Sequence, residues 1–468
     1  MSVPSQPLPA ELPIALDRAR DVPLAVQLAD ALRAAAAAGQ LRRGDRLPST
    51  RTLATHLGVS RTVTAAAYEQ LHAEGWIDGR HGSGTFVTTT PPGARLRPRA
   101  VPRQEPAPDD VVHLVPGAAW AEGLDRAAWR RAWRAAADEP PMILPRRAGL
   151  PSFRAAVAEH LLRHRGLVVP AESERCDPVL ATAGTTAAVA ELAQTVLRRG
   201  DRVAVEEPGY QRAVGVFRAA GMEVVGVPVD SDGLVVAAIP DDVRAVFCSP
   251  AHQYPVGGRM PAARRVELVG RARARGWLVI EDDYDGELRY DVAPLPLLAA
   301  LAPDVVVHLG TTSKIISPVL GTGWMVAPPA VAGAVLEHRD RTGTSPAAAG
   351  QRVVVAMARH GDLGRHLRRL RRELAARRAF VVDALTSAGL PVLGDDAGAH
   401  VLVPVRSAEA ERRVVAEGER RGLRLDVLSR HYNGVPDRHG IPVGYTAPTR
   451  ARLRAAVPVL VDLLRSAQ

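Results

Sequence analysis

Of the 468 residues, 60 are Lys or Arg, and Lys314 is the single lysine among them, which leaves 59 arginines. A guanidinium stays protonated at every relevant pH, whereas the amine of a buried lysine can shed its proton and condense with an aldehyde. Lys314 therefore reads either as a chance survivor of a composition that replaces Lys with Arg or as a Schiff-base amine, and its surroundings favour the second. It closes the segment Gly310-Thr311-Thr312-Ser313-Lys314, which sets hydroxyls beside the amine. Three other segments carry complementary groups. Ala183-Gly184-Thr185-Thr186 opens a helix whose free N–H groups and hydroxyls suit a phosphate. Glu206-Glu207-Pro208-Gly209-Tyr210 can lay the Tyr210 ring over a flat ligand. Asp282-Asp283-Tyr284 offers a carboxylate to a pyridinium nitrogen and a phenol to a neighbouring ring oxygen.

Taken singly, each segment also reads as ordinary structure: a Gly-Thr turn, a core tyrosine, acids at a strand end. Together, an amine for an aldehyde, an acid for a ring nitrogen, an aromatic face and a phosphate cup are what pyridoxal 5'-phosphate requires. The elements that must position them are apolar runs at 179–182, 202–205, 224–229, 245–248, 277–281 and 305–309, most of them separated by helical stretches. That alternation predicts an α/β domain with a largely parallel sheet covered on both faces. Ligands in such sheets sit at the carboxyl ends of strands, where the four segments fall.

Upstream, residues 88–110 are rich in Pro and Arg and lack apolar periodicity, which predicts a linker. Before it, a helix is expected from about Leu24 to Ala38, ended by Gly39. A shorter helix starts at Pro48-Ser49 and stops at Gly58, and Ser60 caps a third that runs from Arg61 to about Glu74 with Val63, Ala67 and Leu71 inward. The last two form a helix-turn-helix, and the segments 76–78 and 85–87 around Gly82-Ser83-Gly84 form a two-stranded wing. In such a module the third helix enters the major groove, so Ser60, Arg61, Thr62 and Thr64 are the candidate contacts. Arg46 and Arg51 are placed to meet phosphates, and the wing tip Arg80-His81-Gly82 to approach the minor groove.

Bulk charge does not carry this assignment. The chain is formally +10, yet residues 1–90 hold nine Arg against eight acids. The densest basic run, eight Arg from Arg359 to Arg378, reads as a solvated helix face. Cys176 and Cys248 are too few for a disulfide framework and read as core thiols. No stretch approaches the roughly 18 to 20 apolar residues of a membrane helix, and the N-terminus lacks a signal-peptide pattern, so a cytoplasmic protein without a membrane partner is expected.

RLPSTRTLATHLGVSRTVTAAAYEQLHAEGWIDGRHGSGTFV (46–87) resembles the winged helix-turn-helix of GntR-type bacterial regulators without a gap. From about residue 113 to the C-terminus, with SPAHQYPVG (249–257) and IEDDYDGELRY (280–290), the chain resembles fold type I aminotransferases. The two in one chain resemble the MocR subfamily of GntR-type regulators. The domains implied are a winged helix at 21–88, a linker at 89–112 and an aminotransferase-like domain at 113–468, with a large lobe at about 146–330 and a small lobe at about 331–468. The resemblance implies that Lys314 binds the cofactor aldehyde, Asp282 pairs the pyridine nitrogen, Tyr284 bonds the ring hydroxyl and Tyr210 covers the ring. Gly184, Thr185, Thr186, Thr311, Ser313 and His252 complete the cofactor-binding set. It also implies a head-to-tail homodimer in which each winged helix packs against the partner's large domain.

Two departures stand out. Family members read L-R-L-G soon after the lysine, the Arg gripping the cofactor phosphate, but SKIISPVLGTGW (313–324) has Gly321 there. A second L-R-L-G anchors an amino-acid carboxylate, but HGIPVGY (439–445) has Pro442. An ionic hydrogen bond of this kind contributes about 1.5 to 3 kcal/mol. Arg212 is the substitute contact for an effector. The expected function is a regulator whose binding to a double-stranded operator responds to pyridoxal phosphate, alone or with an amine or amino acid, and in which transamination is weak or absent. The alternatives are an aminotransferase with an accessory winged helix and a cofactor-less DNA-binding dimer.

Overall fold

A computed structural model describes residues 14–80, 84–89, 111–169, 178–290 and 295–468. The chain divides into two compact units, Met1–Glu105 and Pro106–Gln468.

In the first unit, helices α1 (Leu24–Ala37), α2 (Thr50–Leu57) and α3 (Arg61–Ala73) enclose a core of Leu28, Leu32, Leu53, Ala67 and Leu71. The helix ends follow from local chemistry. Ser49 and Ser60 accept hydrogen bonds from the N–H groups of Thr52 and Val63, at 3.1 and 3.4 Å. Each such cap contributes about 1 kcal/mol. Gly58 stops α2 at φ +61°, a left-handed conformation that costs glycine nothing. The wing is three-stranded: β1 (Arg46–Leu47) pairs antiparallel with β3 (Gly84–Val87), which pairs with β2 (Ile77–Arg80). Two residues give no periodicity, so the first strand was not legible in the sequence.

The second unit opens with β4 (Val112–His113), α4 (Arg126–Asp138) and α5 (Pro151–Arg165). Then β5 (Val179–Thr182), α6 (Thr185–Thr195), β6 (Arg202–Glu207), α7 (Gln211–Ala219), β7 (Glu223–Asp230) and β8 (Gly233–Leu234) follow. Next come β9 (Ala245–Cys248), α8 (Ala262–Arg275), β10 (Leu278–Asp283), α9 (Leu298–Leu301), β11 (Val306–Thr311) and β12 (Gly323–Val326). These strands form one sheet in the order β5-β12-β11-β10-β9-β6-β7-β8. The run from β11 to β7 is parallel, while β12 lies antiparallel to both its neighbours and β8 antiparallel to β7.

Strand alternation sends successive side chains to two separate cores. Val179, Ala181, Ala204, Val246, Val279 and Val306 join one. Leu180, Val203, Phe247, Ile280, Val307 and Leu309 join the other, which α6 and α7 complete with Val189, Leu192, Val214 and Phe217. The remaining elements are α10 (Pro329–Thr342), α11 (Ala348–Arg359), α12 (Asp362–Ser387), β13 (His400–Pro404), α13 (Ala408–Arg420), β14 (Leu423–Arg424), β15 (Gly440–Gly444) and α14 (Arg450–Arg465). Strand β13 pairs with β15, and β14 with β4.

The basic run is a solvated face in part: Arg359, Arg365, Arg368 and Arg372 are exposed, whereas the other four are drawn inward. Arg377 is buried and binds Glu122 at 2.5 Å and Glu373 at 2.8 Å. Arg371 donates to the Glu287 carbonyl, Arg369 to that of Gly123, and Arg378 pairs with Asp396. Cys248 is buried, whereas Cys176 lies outside the described residues. Among the described residues no helix is long and apolar enough to cross a membrane, and no cluster of His, Cys, Asp and Glu could hold a metal ion.

Candidate functional site

A cavity of about 470 Å³ lies at the carboxyl ends of β5, β6, β10 and β11. It is lined by Gly184, Thr185, Thr186, Tyr210, Arg212, Asp282, Tyr284, Thr311, Ser313 and Lys314, so the structure brings together every cofactor or effector candidate from the sequence except His252.

Strand parity decides which acid serves the cavity. Asp282 follows Ile280 onto the face covered by α6 and α7, whereas Asp283 points to the opposite face. There Arg165 takes Asp283 with two bonds, 2.5 and 2.8 Å. Asp282 has no such cation. Its Oδ1 and the Thr185 hydroxyl are buried and have no hydrogen-bond partner among the described residues. Burial, reinforced by the charge of Asp283, lifts the Asp282 carboxyl to about 7. Neighbouring Glu206 is lifted to about 8 by burial, against the Ser249 N–H and Gln253 amide that favour its charge. An uncompensated buried carboxyl is a costly feature unless something arrives to pair it. A protonated ring nitrogen is such a partner, so this acid fits the pyridine of pyridoxal phosphate.

The phosphate end fits as well. Gly184 is the N-cap of α6 and supplies no side-chain cap, so the first N–H groups of an 11-residue helix face the cavity region beside the unpartnered Thr185 hydroxyl. Thr186 and Tyr210 join hydroxyls at 3.2 Å, which fixes the Tyr210 ring at the cavity wall. Lys314 is half-buried, and burial lowers its pKa against the opposing pull of Asp285 and Asp282. That shift favours the neutral amine, the form that attacks a carbonyl. Its ammonium donates to the carbonyl of Gly117.

His252 requires correction. It is buried outside the cavity lining, behind Tyr284, because Gly257 and Gly398 leave room for its ring: a Cβ at 398 would sit 2.0 Å from its Cε1. Its Nδ1 lies 2.9 Å from Asp285 Oδ2 and 3.1 Å from the Tyr284 hydroxyl. A buried carboxylate needs a donor, which assigns the Nδ1 hydrogen to Asp285 and leaves Tyr284 its own proton. Burial pushes that phenol well above its usual range. Tyr284 thus keeps its proton at the cavity wall, and His252 stands behind it, outside the cavity lining.

Sequence reasoning missed Tyr254, His400, Arg430 and His431, which also line the cavity, and Gly117 and Ala118 from the start of the unit. Only Tyr254, inside the quoted SPAHQYPVG segment, carried any signal. Arg430 is already paired with Asp426, whereas exposed Arg212 makes no ion pair among the described residues. Gly321 sits exposed at φ +52° with nothing within 4 Å of where a side chain would begin, and Pro442 lies opposite Leu402 in β15, outside the cavity lining. Neither position supplies a cation.

In the first unit, Arg46, Arg51, Ser60, Arg61 and Thr62 are exposed. Thr64 is the exception: it is fully buried and its hydroxyl donates to the carbonyls of Thr50 and Arg61, so it joins α3 to α2 and cannot reach DNA. Arg80 ends β2, while His81 and Gly82 lie outside the described residues.

The model of bacterial regulatory proteins of the gntR family matches residues 24–87, and that of class I and II aminotransferases matches residues 117–427. The chain is 36% identical to the HTH-type pyridoxine biosynthesis transcriptional regulator PdxR of Corynebacterium glutamicum, over 97% of this chain and 98% of the relative. It is 30% identical to the probable rhizopine catabolism regulatory protein MocR of Rhizobium meliloti, over 97% and 95%. Among solved structures, Pyrococcus horikoshii kynurenine aminotransferase superposes with a TM-score of 0.69 at 22% identity, covering 76% of this chain and 91% of that one. An archaeal alanine:glyoxylate aminotransferase does so with a TM-score of 0.70 at 23% identity, over 76% and 91%.

Proposed function

Because this chain belongs to the MocR-type GntR transcriptional regulators, we propose that its operator affinity is set by pyridoxal 5'-phosphate held at Lys314. The observation that carries this reading is the placing of the sole lysine, in an environment that lowers its pKa, in one cavity with Asp282, a buried acid whose Oδ1 has no hydrogen-bond partner among the described residues. When bound, the cofactor supplies an aldehyde for the amine and a ring that withdraws electrons. Asp282 holds a proton against the ring nitrogen, Tyr284 donates to the ring oxygen, Tyr210 covers the ring, and the N-terminus of α6 with Thr185, Thr186, Thr311 and Ser313 receives the phosphate.

The cofactor itself is the ligand sensed. Gly321 removes the usual phosphate cation, which weakens retention and suits reversible occupancy, and the Corynebacterium relative is named for pyridoxine biosynthesis. An amine or amino acid as co-effector would meet Arg212, a cavity cation with no ion pair among the described residues. With Pro442 outside the lining, an α-amino acid lacks its usual carboxylate anchor, and transamination is weak or absent. DNA is read by Ser60, Arg61 and Thr62 in the major groove, with Arg46 and Arg51 on phosphates and the wing tip in the minor groove. The protein acts in the cytoplasm as a head-to-tail homodimer.

Titration of the cofactor-free protein with pyridoxal phosphate, followed by visible absorbance and by operator binding in parallel, tests this. Both signals are expected to move over one concentration range, and Lys314→Ala to lose the absorbance. Absorbance without a change in operator binding would sink the regulatory reading.

A further inference from the structure

We infer that the Gly117 carbonyl is the group through which the winged-helix side of the chain detects whether the Lys314 amine is occupied. This rests on the proposed reading of Lys314 and names the regulation of that site.

Lys314 stands on the large sheet, three residues beyond β11. Gly117 belongs to the stretch 114–119, the first part of the second unit after β4 in the chain. That stretch is bolted elsewhere. Leu114 donates its N–H to the Arg424 carbonyl at 2.9 Å and accepts from Gly444 N–H at 2.7 Å. The Ala118 carbonyl accepts from the Thr446 hydroxyl at 2.7 Å. A side chain at 444 would begin 2.8 Å from the Val115 carbonyl oxygen, so glycine there lets the backbones meet. Residues 114–118 therefore follow the part of the fold built on residues 422–446. Between those two fixed points, Gly117 at φ +101° turns its carbonyl to Lys314, whose ammonium donates to it. One hydrogen bond thus ties the segment nearest the linker to the large sheet.

Condensation with an aldehyde necessarily alters that bond. The neutral amine, R–NH2, and the aldehyde, R'–CHO, give R–N=CH–R' and water: two N–H bonds and the C=O are replaced by one C=N and the water. The lysine nitrogen would retain at most one hydrogen, where the ammonium had three. The Gly117 carbonyl loses its donor. A carbonyl without a partner favours any rearrangement that returns one to it, so occupancy releases the 114–119 stretch from the large sheet. The chain runs from this stretch toward the winged helix, and operator affinity is the readout of whether the release is felt there.

Two substitutions separate this from occupancy alone. Lys314→Ala removes the donor, so the Gly117 carbonyl is released without any cofactor. Lys314→Arg retains a donor and cannot condense. Without cofactor, hydrogen exchange across 114–119 is expected to be faster in Lys314→Ala than in wild type and unchanged in Lys314→Arg. Operator affinity of cofactor-free Lys314→Ala should match that of cofactor-saturated wild type within about twofold, while Lys314→Arg with cofactor present should match cofactor-free wild type. Should both variants bind operator and exchange as cofactor-free wild type does, the inference is overturned. Misfolding of Lys314→Ala would quicken exchange throughout the second unit, whereas the expected change is confined to 114–119. The exchange comparison needs no cofactor, so it stands even if wild type fails to take up pyridoxal phosphate, an outcome that overturns the reading of Lys314 instead.

Discussion

The two units differ in how far apart along the chain their functional groups come from. In the winged helix, Ser49, Gly58, Ser60 and Arg61 lie within 13 consecutive residues, and caps and turns between them decide the shape. In the second unit, one cavity gathers residues from Pro116 to His431. Local chemistry suffices for the first, whereas the second exists only once a sheet has closed. The winged helix should therefore tolerate changes in the cavity and the cavity should ignore changes in the winged helix, unless the coupling is what is removed.

The largest effect is expected at Asp282. A carboxyl whose folded pKa is raised to about 7 from an ordinary value near 4 keeps its proton longer folded than unfolded. The unfolded state binds fewer protons between those values, so without cofactor stability should fall as pH rises from about 4 to 7 and level off above. The shift corresponds to roughly 2 to 4 kcal/mol, read as a falling Tm of the second unit. Asp282→Asn should flatten that slope and leave the melting of the winged helix unchanged. A slope as steep in Asp282→Asn as in wild type would assign it to Glu206, lifted to about 8, and weaken the case for Asp282 as the ring-nitrogen partner.

Arg61→Ala should cost about 1 to 3 kcal/mol of operator affinity with cofactor absorbance unaltered. Loss of absorbance together with DNA binding would mean that the units are not separable. Thr64→Val removes a buried hydroxyl that bonds Thr50 and Arg61, and should lower winged-helix stability by about 1 to 2 kcal/mol. Operator affinity of the folded fraction should stay as in wild type, and a direct DNA contact would show as the reverse. The smallest effect is at His252. His252→Gln should move the pH midpoint of the cofactor absorbance, through Tyr284, with no change in fold by circular dichroism. An unmoved midpoint would mean that Tyr284 holds its place without the imidazole.

Most of the parallel strands were legible because a strand buried on both faces is an apolar run, and each run ends where its chemistry begins. The short strands β1, β4 and β14 were not, since two residues carry no periodicity, and β12 was not either, although it is as long as β5 and β9. Arg359–Arg378 shows the limit in another form: spacing reports that a helix is basic, while Glu122, Asp396 and the Glu287 carbonyl, all distant in sequence, determine that several of its charges turn inward. Thr64 misled for the same reason. Its place at the start of a recognition helix is local information, and its burial depends on Thr50 in the preceding helix.

By itself the sequence determined the residue chemistry: a lone amine, an acid-and-phenol segment, a Gly-Thr helix start and a serine-capped third helix, all readable because each is a short contiguous motif. Only the tertiary structure decided that Asp282 lines the cavity while Asp283 meets Arg165, that His252 stands behind Tyr284, and that Gly117 meets Lys314. Those outcomes depend on strand parity and on the approach of segments up to some 200 residues apart. Such long-range contacts form by packing, which leaves no pattern in neighbouring residues.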